Sequence, residues 1–422
     1  MRSWPPSASH SRPSQLTPAS VAPWCSRTAR NRGPIAAGVP FTPSTVTFPL
    51  LLAVPLHRYV LRVCQNGKAN HVGRVPRRRI YGWPHPPRTE EKSIQPEPTT
   101  ELRHRIVEAP AGRLHLVEQG TGPLVLLVHG FPESWYSWRR QLPALAAAGH
   151  RAVAVDVRGY GRSSKPEAID AYRMLDLVED NLAVVRALGE ESAVVVGHDW
   201  GSGIAAASAL LHPEVFRAVG LLSVPYAPPG GPRPSDIFGQ IGGPEEEFYV
   251  SYLQEPRRAE AEIEPDVRGW LAGFYAALSA DTMPAPGEPD PHFVVRGGGR
   301  LRDRFPTGVL PAWLSEDELN VHAGEFERTG MTGALNRYRN MDRDWEDLAP
   351  HHGAPIKQPS LFIGGALDAS TTWMSDAIDA YPTTLPGLSA SHLLDGCGHW
   401  IQQERPDEVN RLLTDWLATL RG

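Results

Sequence analysis

An apolar run at residues 193–196 passes without a spacer into Gly197-His198-Asp199-Trp200-Gly201, and a stretch of small residues follows. A short continuous apolar run reads as a buried strand, and residues 201–211 read as a helix. Only a tight strand-to-helix turn joins the two. Glycines flank the central residue where the chain must turn sharply and pack closely. A G-x-nucleophile-x-G turn of this kind projects its middle side chain above the sheet. It also sets that side chain near helix N-terminal N–H groups, which favour negative charge. An aspartate there is equally a good helix N-cap, and for an isolated motif that is the commoner reading. The rest of the chain decides between cap and nucleophile.

Residues 124–128, 152–157, 193–196, 219–224 and 361–363 read as buried strands. Helix-like segments at 134–148, 170–188 and 201–211 separate them. Such alternation points to an α/β fold with a mostly parallel sheet covered on both faces. After residue 224 the alternation stops. Residues 226–350 are rich in Trp, Tyr, Glu and Arg, carry a Gly/Pro-rich stretch at 284–299, and look mainly helical. The expected organisation is a core formed by 101–225 and 351–422, interrupted by a helical lid at 226–350.

The first hundred residues differ from the rest. Of the chain's 42 basic and 47 acidic side chains, 14 and 3 fall in residues 1–100, which leaves 28 and 44 for the remainder. No acidic residue precedes Glu90. This Pro-, Ser- and Arg-rich segment has little apolar pattern, so a disordered extension is expected. Its composition fits a targeting segment, a tail for an anionic partner, or translated sequence ahead of a misassigned start. Its one apolar run, at 48–56, is too short to span a membrane and contains Pro49 and Pro55. The net charge of −5 argues against a basic nucleic-acid binder. Cys25, Cys64 and Cys397 show no CxxC spacing, which disfavours a disulfide framework and a zinc site.

The chemistry gathers at the ends of the expected strands. The run at 124–128 ends in His129-Gly130-Phe131-Pro132-Glu133, a turn that leaves backbone N–H groups free. With the N–H of Trp200, that of Phe131 makes a candidate oxyanion hole. The run at 361–363 leads to Asp368, and His399 follows in Gly396-Cys397-Gly398-His399-Trp400. Nucleophile, acid, histidine is the triad order of α/β-hydrolases. Asp395 is a rival for the acid; Asp368 is preferred because it follows a strand C-terminus, where α/β sites are built. Arg158-Gly159-Tyr160-Gly161 looks faintly like a phosphate loop. It lacks the third glycine and the lysine of such motifs, and a tight turn is the better reading.

As a set, HGFPE at 129–133, DVRGYGRSSKP at 156–166, GHDWG at 197–201, YLQEP at 252–256, YRNMDRDW at 338–345 and GCGHW at 396–400 resemble the soluble epoxide hydrolases of the α/β-hydrolase family. The resemblance implies addition of water to an epoxide, giving a vicinal diol through an ester on Asp199. His399 and Asp368 would activate the water, with Phe131 and Trp200 as the oxyanion hole. Two lid tyrosines would hold the epoxide oxygen, and the motifs place them at Tyr252 and Tyr338. Tyr249, three residues before Tyr252, is the alternative donor. His129, Pro132 and Trp200 would line the substrate site. Epoxide and water are the implied partners, with no nucleic acid, membrane span, metal or organic cofactor. A cytoplasmic location is expected, and a homodimer is allowed for. Where the family usually has Trp before the second tyrosine, this chain has Arg337, and Ser202 replaces the usual Gly or Ala. Two other readings compete. A haloalkane dehalogenase also uses an aspartate nucleophile, but usually has Asn where Phe131 stands. A non-catalytic ligand receptor on the same scaffold is the other.

Overall fold

The computed structural model describes residues 101–110 and 112–420; the extension discussed above, residues 1–100, lies outside them. The described residues form ten strands: β1 (Arg103–Ala109), β2 (Gly112–Gln119), β3 (Leu124–Val128), β4 (Arg151–Val155), β5 (Ala193–His198), β6 (Phe216–Leu222), β7 (Glu246–Phe248), β8 (Phe293–Val295), β9 (Ser360–Gly365) and β10 (Leu388–Leu394). Eight form one sheet in the order β1-β2-β4-β3-β5-β6-β9-β10. Pairing is antiparallel for β1–β2 and β2–β4 and parallel from β4 onward.

The apolar runs form the middle of this sheet because both of its faces are covered. Alternate residues feed two cores. Leu126, Val128, Val195, Val219 and Phe362 pack on one side, against Leu182 and Ile204. Val125, Leu127, Val194, Val196 and Ile363 pack on the other, against Trp138 and Trp416. Full burial of each such side chain is worth about 1.5–3 kcal/mol.

Three helices of the core bear on the site. Helix α1 (Gln141–Ala147) follows a 3-10 turn at Trp135–Trp138. A second 3-10 turn, Ile169–Tyr172, precedes α2 (Met174–Ala187), and α3 (Trp200–Leu211) leaves β5 directly. The two long helices expected at 134–148 and 170–188 are thus each divided. Arg140 and Arg173 mark the joints, and Arg173 is extended at ψ 154°.

Between β6 and β9 the chain builds the lid. It is mostly short helices, including Tyr249–Gln254, Val267–Ala277 and Glu316–Thr329, with one small sheet of β7 and β8. Among the described residues no helix is long and apolar enough to cross a membrane.

Candidate active site

Asp199 stands between β5 and α3 with φ 53° and ψ −122°, a backbone conformation that non-glycine residues rarely adopt. The flanking glycines make the turn feasible. A Cβ on Gly197 would lie 1.9 Å from the Gly201 carbonyl oxygen, and one on Gly201 would lie 2.0 Å from that of Val128. Ser202, the second departure, donates its hydroxyl to the Val224 carbonyl (2.7 Å) and stays out of the site.

The two carboxylate oxygens of Asp199 have different surroundings. Oδ1 accepts the Phe131 N–H at 2.8 Å, and the Trp200 N–H also bonds the carboxylate. Oδ2 faces His399 Nε2 at 3.7 Å. Burial raises the Asp199 pKa above the ordinary carboxylate value, and the positive pull of His399 offsets part of that rise.

His399 is held from several sides. Its Nδ1 lies 3.2 Å from Asp368 Oδ1, and Ser223 Oγ lies 2.5 Å from Asp368 Oδ2 and 3.0 Å from the same ring nitrogen. Asp395, the rival acid, is exposed. Burial would lower the imidazole pKa, but the charges of Asp368 and Asp199 more than offset it and hold His399 at about 9. Glu404 fixes the loop itself by accepting the N–H groups of Gly398 (2.9 Å), Trp400 (3.0 Å) and Ala280 (3.1 Å).

A cavity of about 320 Å³ lies over these groups, lined by Phe131, Asp199, Tyr249, Tyr338, Asp368 and His399 among others. Both tyrosine hydroxyls are kept protonated, chiefly by burial and then by the negative charge of Asp199. They can donate to an oxygen in the cavity without first losing a proton.

The chain as a whole is similar to proteins of known function. The alpha/beta hydrolase fold family model matches residues 123–406. Epoxide hydrolase B of Mycobacterium tuberculosis is 44% identical over 351 residues, covering 75% of this chain and 99% of that protein. This chain belongs to the epoxide hydrolases of the α/β-hydrolase fold. An epoxide hydrolase structure from an endophytic Streptomyces is 74% identical, with a TM-score of 0.74 over 76% of this chain and 96% of the other. Epoxide hydrolase A from Mycobacterium thermoresistibile is 42% identical, with a TM-score of 0.70 over 75% and 98%.

Within this epoxide hydrolase, four expected placements need correction. Tyr252 does not reach the cavity. Its hydroxyl donates to Glu262 inside the lid, and Arg258 lies over its ring at 4.2 Å. Tyr249, one turn earlier on the helix Tyr249–Gln254, lines the cavity instead. The cause is Glu262, a buried carboxylate that also accepts from the Trp270 indole (2.8 Å) and the N–H groups of Leu301 (3.0 Å) and Arg302 (2.9 Å), and so draws Tyr252 inward. His129 is turned away as well. Its Nε2 accepts the Val157 N–H at 3.0 Å, its Nδ1 lies 2.8 Å from the Gly130 carbonyl, and its ring packs on Tyr160. Pro132 is absent from the cavity wall, and its carbonyl accepts the Tyr275 hydroxyl at 2.6 Å.

Trp200, expected to line the substrate site, is also absent from the cavity wall; it offers its backbone N–H to Asp199, and its ring lies behind Tyr338. The ring meets Tyr338 edge-on at 5.2 Å, and the Arg337 guanidinium lies 4.8 Å over it. Two supporting residues were not foreseen from the sequence. Glu133 is fully buried and lies 2.8 Å from His198 Nδ1, and His198 Nε2 lies 2.8 Å from the His399 carbonyl. Burial would raise the Glu133 carboxyl, but the adjoining His198 brings it down to about 2. The signal was a polar residue inside each motif, Glu133 at the end of HGFPE and His198 just before Asp199, and without the fold nothing showed that the two meet.

Proposed function

We propose that this chain adds water to an epoxide to give a vicinal diol through a covalent ester on Asp199. Asp199 Oδ2 attacks a ring carbon and the C–O bond of the epoxide breaks. Tyr249 and Tyr338 donate hydrogen bonds to the epoxide oxygen and supply the proton that the resulting alkoxide takes up. Ester formation removes the negative charge from Asp199. One of the charges that raises the His399 pKa is then gone, so the imidazole gives up its proton more readily and can act as a base. His399, oriented by Asp368, takes a proton from water, and the hydroxide attacks Asp199 Cγ. The negative charge collects on Oδ1 beside the Phe131 and Trp200 N–H groups. Collapse breaks the Cγ–Oδ2 bond and releases the diol with a proton from His399. The proton that His399 gave up after ester formation re-forms the phenol, and the proton left on the Asp199 carboxylic acid returns to His399, which restores the carboxylate and the imidazolium.

The observation that carries this reading is the division of labour at Asp199. Oδ1 accepts the Phe131 N–H, while Oδ2 faces His399 in a cavity that also contains two phenols. A lid spanning 226–350, a cytoplasmic location and a homodimer belong to the same reading. The test is His399→Gln. The carboxylate needs no base to attack, but neutral water does, so the variant should react once with an epoxide and stall. Intact mass should rise by the whole mass of the epoxide, with the adduct on Asp199 by peptide mapping. A wild type that turns over while the variant forms no adduct would refute the covalent route. A halide-displacing enzyme would instead gain a haloalkane's mass less its halide.

A further inference from the structure

The cavity extends from Asp199 and His399 to a partly exposed rim at 284–288, 290–292, Leu367 and Trp373. Its charged lining is predominantly acidic, since the one cationic group, His399, is matched at the inner end by two carboxylates. Asp199 and Asp368 lie at the inner end, and Glu288 and Asp290 are exposed at the rim. Among the described residues no lysine or arginine lines it.

The rim carboxylates are fixed in place. Glu288 Oε2 accepts the Ala285 N–H at 3.0 Å. Asp290 Oδ1 accepts the His292 N–H at 2.9 Å and lies 2.7 Å from His292 Nδ1. The nearby Arg304 donates to the Asp290 backbone carbonyl at 3.1 Å and pairs with Glu246, so its charge is already matched. Trp373 is 52% exposed and packs edge-on to His292 at 4.7 Å.

We propose that this cavity selects its epoxide by charge, with Glu288 and Asp290 admitting neutral and cationic epoxides and turning away those that carry a carboxylate or a phosphate. The inference rests on the epoxide hydrolase reading and narrows its substrate class. A cavity with low-dielectric walls lined by one sign of charge focuses the field at its mouth. An anionic substrate would lose water at the rim and meet no lysine or arginine there in return, while His399 further in is already matched by Asp199 and Asp368. A cationic group meets two carboxylates and the exposed ring of Trp373, a favourable arrangement for an ammonium.

The test compares three terminal epoxides that differ only in a distal group, a carboxylate, its methyl ester or a trimethylammonium, set off from the ring by an alkyl spacer. At low salt kcat/KM for the carboxylate should fall below that for the ester by a factor on the order of ten. Added salt should narrow the gap. The double variant Glu288→Gln/Asp290→Asn should raise the carboxylate-to-ester ratio several-fold and lower the ammonium-to-ester ratio. Equal turnover of carboxylate and ester, or ratios unchanged in the variant, would overturn the proposal. If even the ester is not hydrolysed, the epoxide hydrolase reading itself fails.

Discussion

Tyr249 and Tyr252 show how narrowly a role can be assigned to one side chain. They lie three residues apart on one short helix, yet one lines the cavity and the other serves a buried carboxylate. Replacing Tyr249 or Tyr338 by Phe removes a hydrogen bond that strengthens as alkoxide charge develops, a loss on the order of 2–4 kcal/mol. Rapid-quench measurement of ester formation should show each change slowing that step by roughly a hundred-fold or more. Tyr252→Phe should leave ester formation near the wild-type rate and lower stability by about 1–3 kcal/mol, because Glu262 loses one of its donors. A Tyr252→Phe variant that cannot form the ester would reverse the assignment. Asp199, Asp368 and His399 were legible in the sequence because glycines and strand ends flank them, and those marks are local. The choice between the tyrosines was not, since it is settled by Glu262, ten residues further along. The direction of the His129 ring was hidden for the same reason, being set by the Val157 N–H across the sheet.

At the scale of elements, Arg337 fastens lid to core. Its guanidinium donates to the Tyr172 carbonyl, pairs with Asp344 and stacks on Trp200, while Asp344 Oδ1 accepts the N–H of Met174 at 2.6 Å. The segment before α2 is thus tied to the lid segment that carries Tyr338, and Arg173 adds an ion pair with Asp347. Arg337→Ala would leave Asp344 buried and unpaired, a cost of about 3–5 kcal/mol. Thermal melting should show that loss, and ester formation should slow because Trp200 and Tyr338 lose their backing. Full stability in the variant would show that the contact carries no such role. The buried parallel strands were visible as apolar runs. Strands β1, β2 and β10 were not, because β1 and β10 lie at the sheet edges and mix exposed with buried positions, as in Arg103–Ala109. β2 has buried polar residues such as His115 and Glu118, which break its apolar run.

Across the whole molecule, the site's charges make stability depend on pH. His399 binds its proton more tightly when folded, near 9, than an unfolded histidine does near 6.5. A raised pKa adds stability that is fully present below about 6.5 and is lost as pH rises through about 9. Melting curves from pH 6 to 10 should therefore fall more steeply for the wild type than for His399→Gln, and parallel curves would contradict the assignment. Asp368 acts in the opposite sense. Its carboxyl is held below the ordinary value by His399 and Ser223, although burial alone would raise it, and its contribution is lost in acid. The placement of the lid has a further consequence. β6 and β9 are parallel neighbours, and a plain crossover of about a dozen residues could join them. Most of the lid is therefore free of the sheet's demands, and its sequence can diverge while the nucleophile stays put. That freedom has a boundary, because the lid also carries Tyr249 and Tyr338. On the mechanism proposed above, a lid exchanged between lineages, or grafted by an engineer, brings its own taste in substrates but must also bring two phenols, or the aspartate beneath it has nothing to work against.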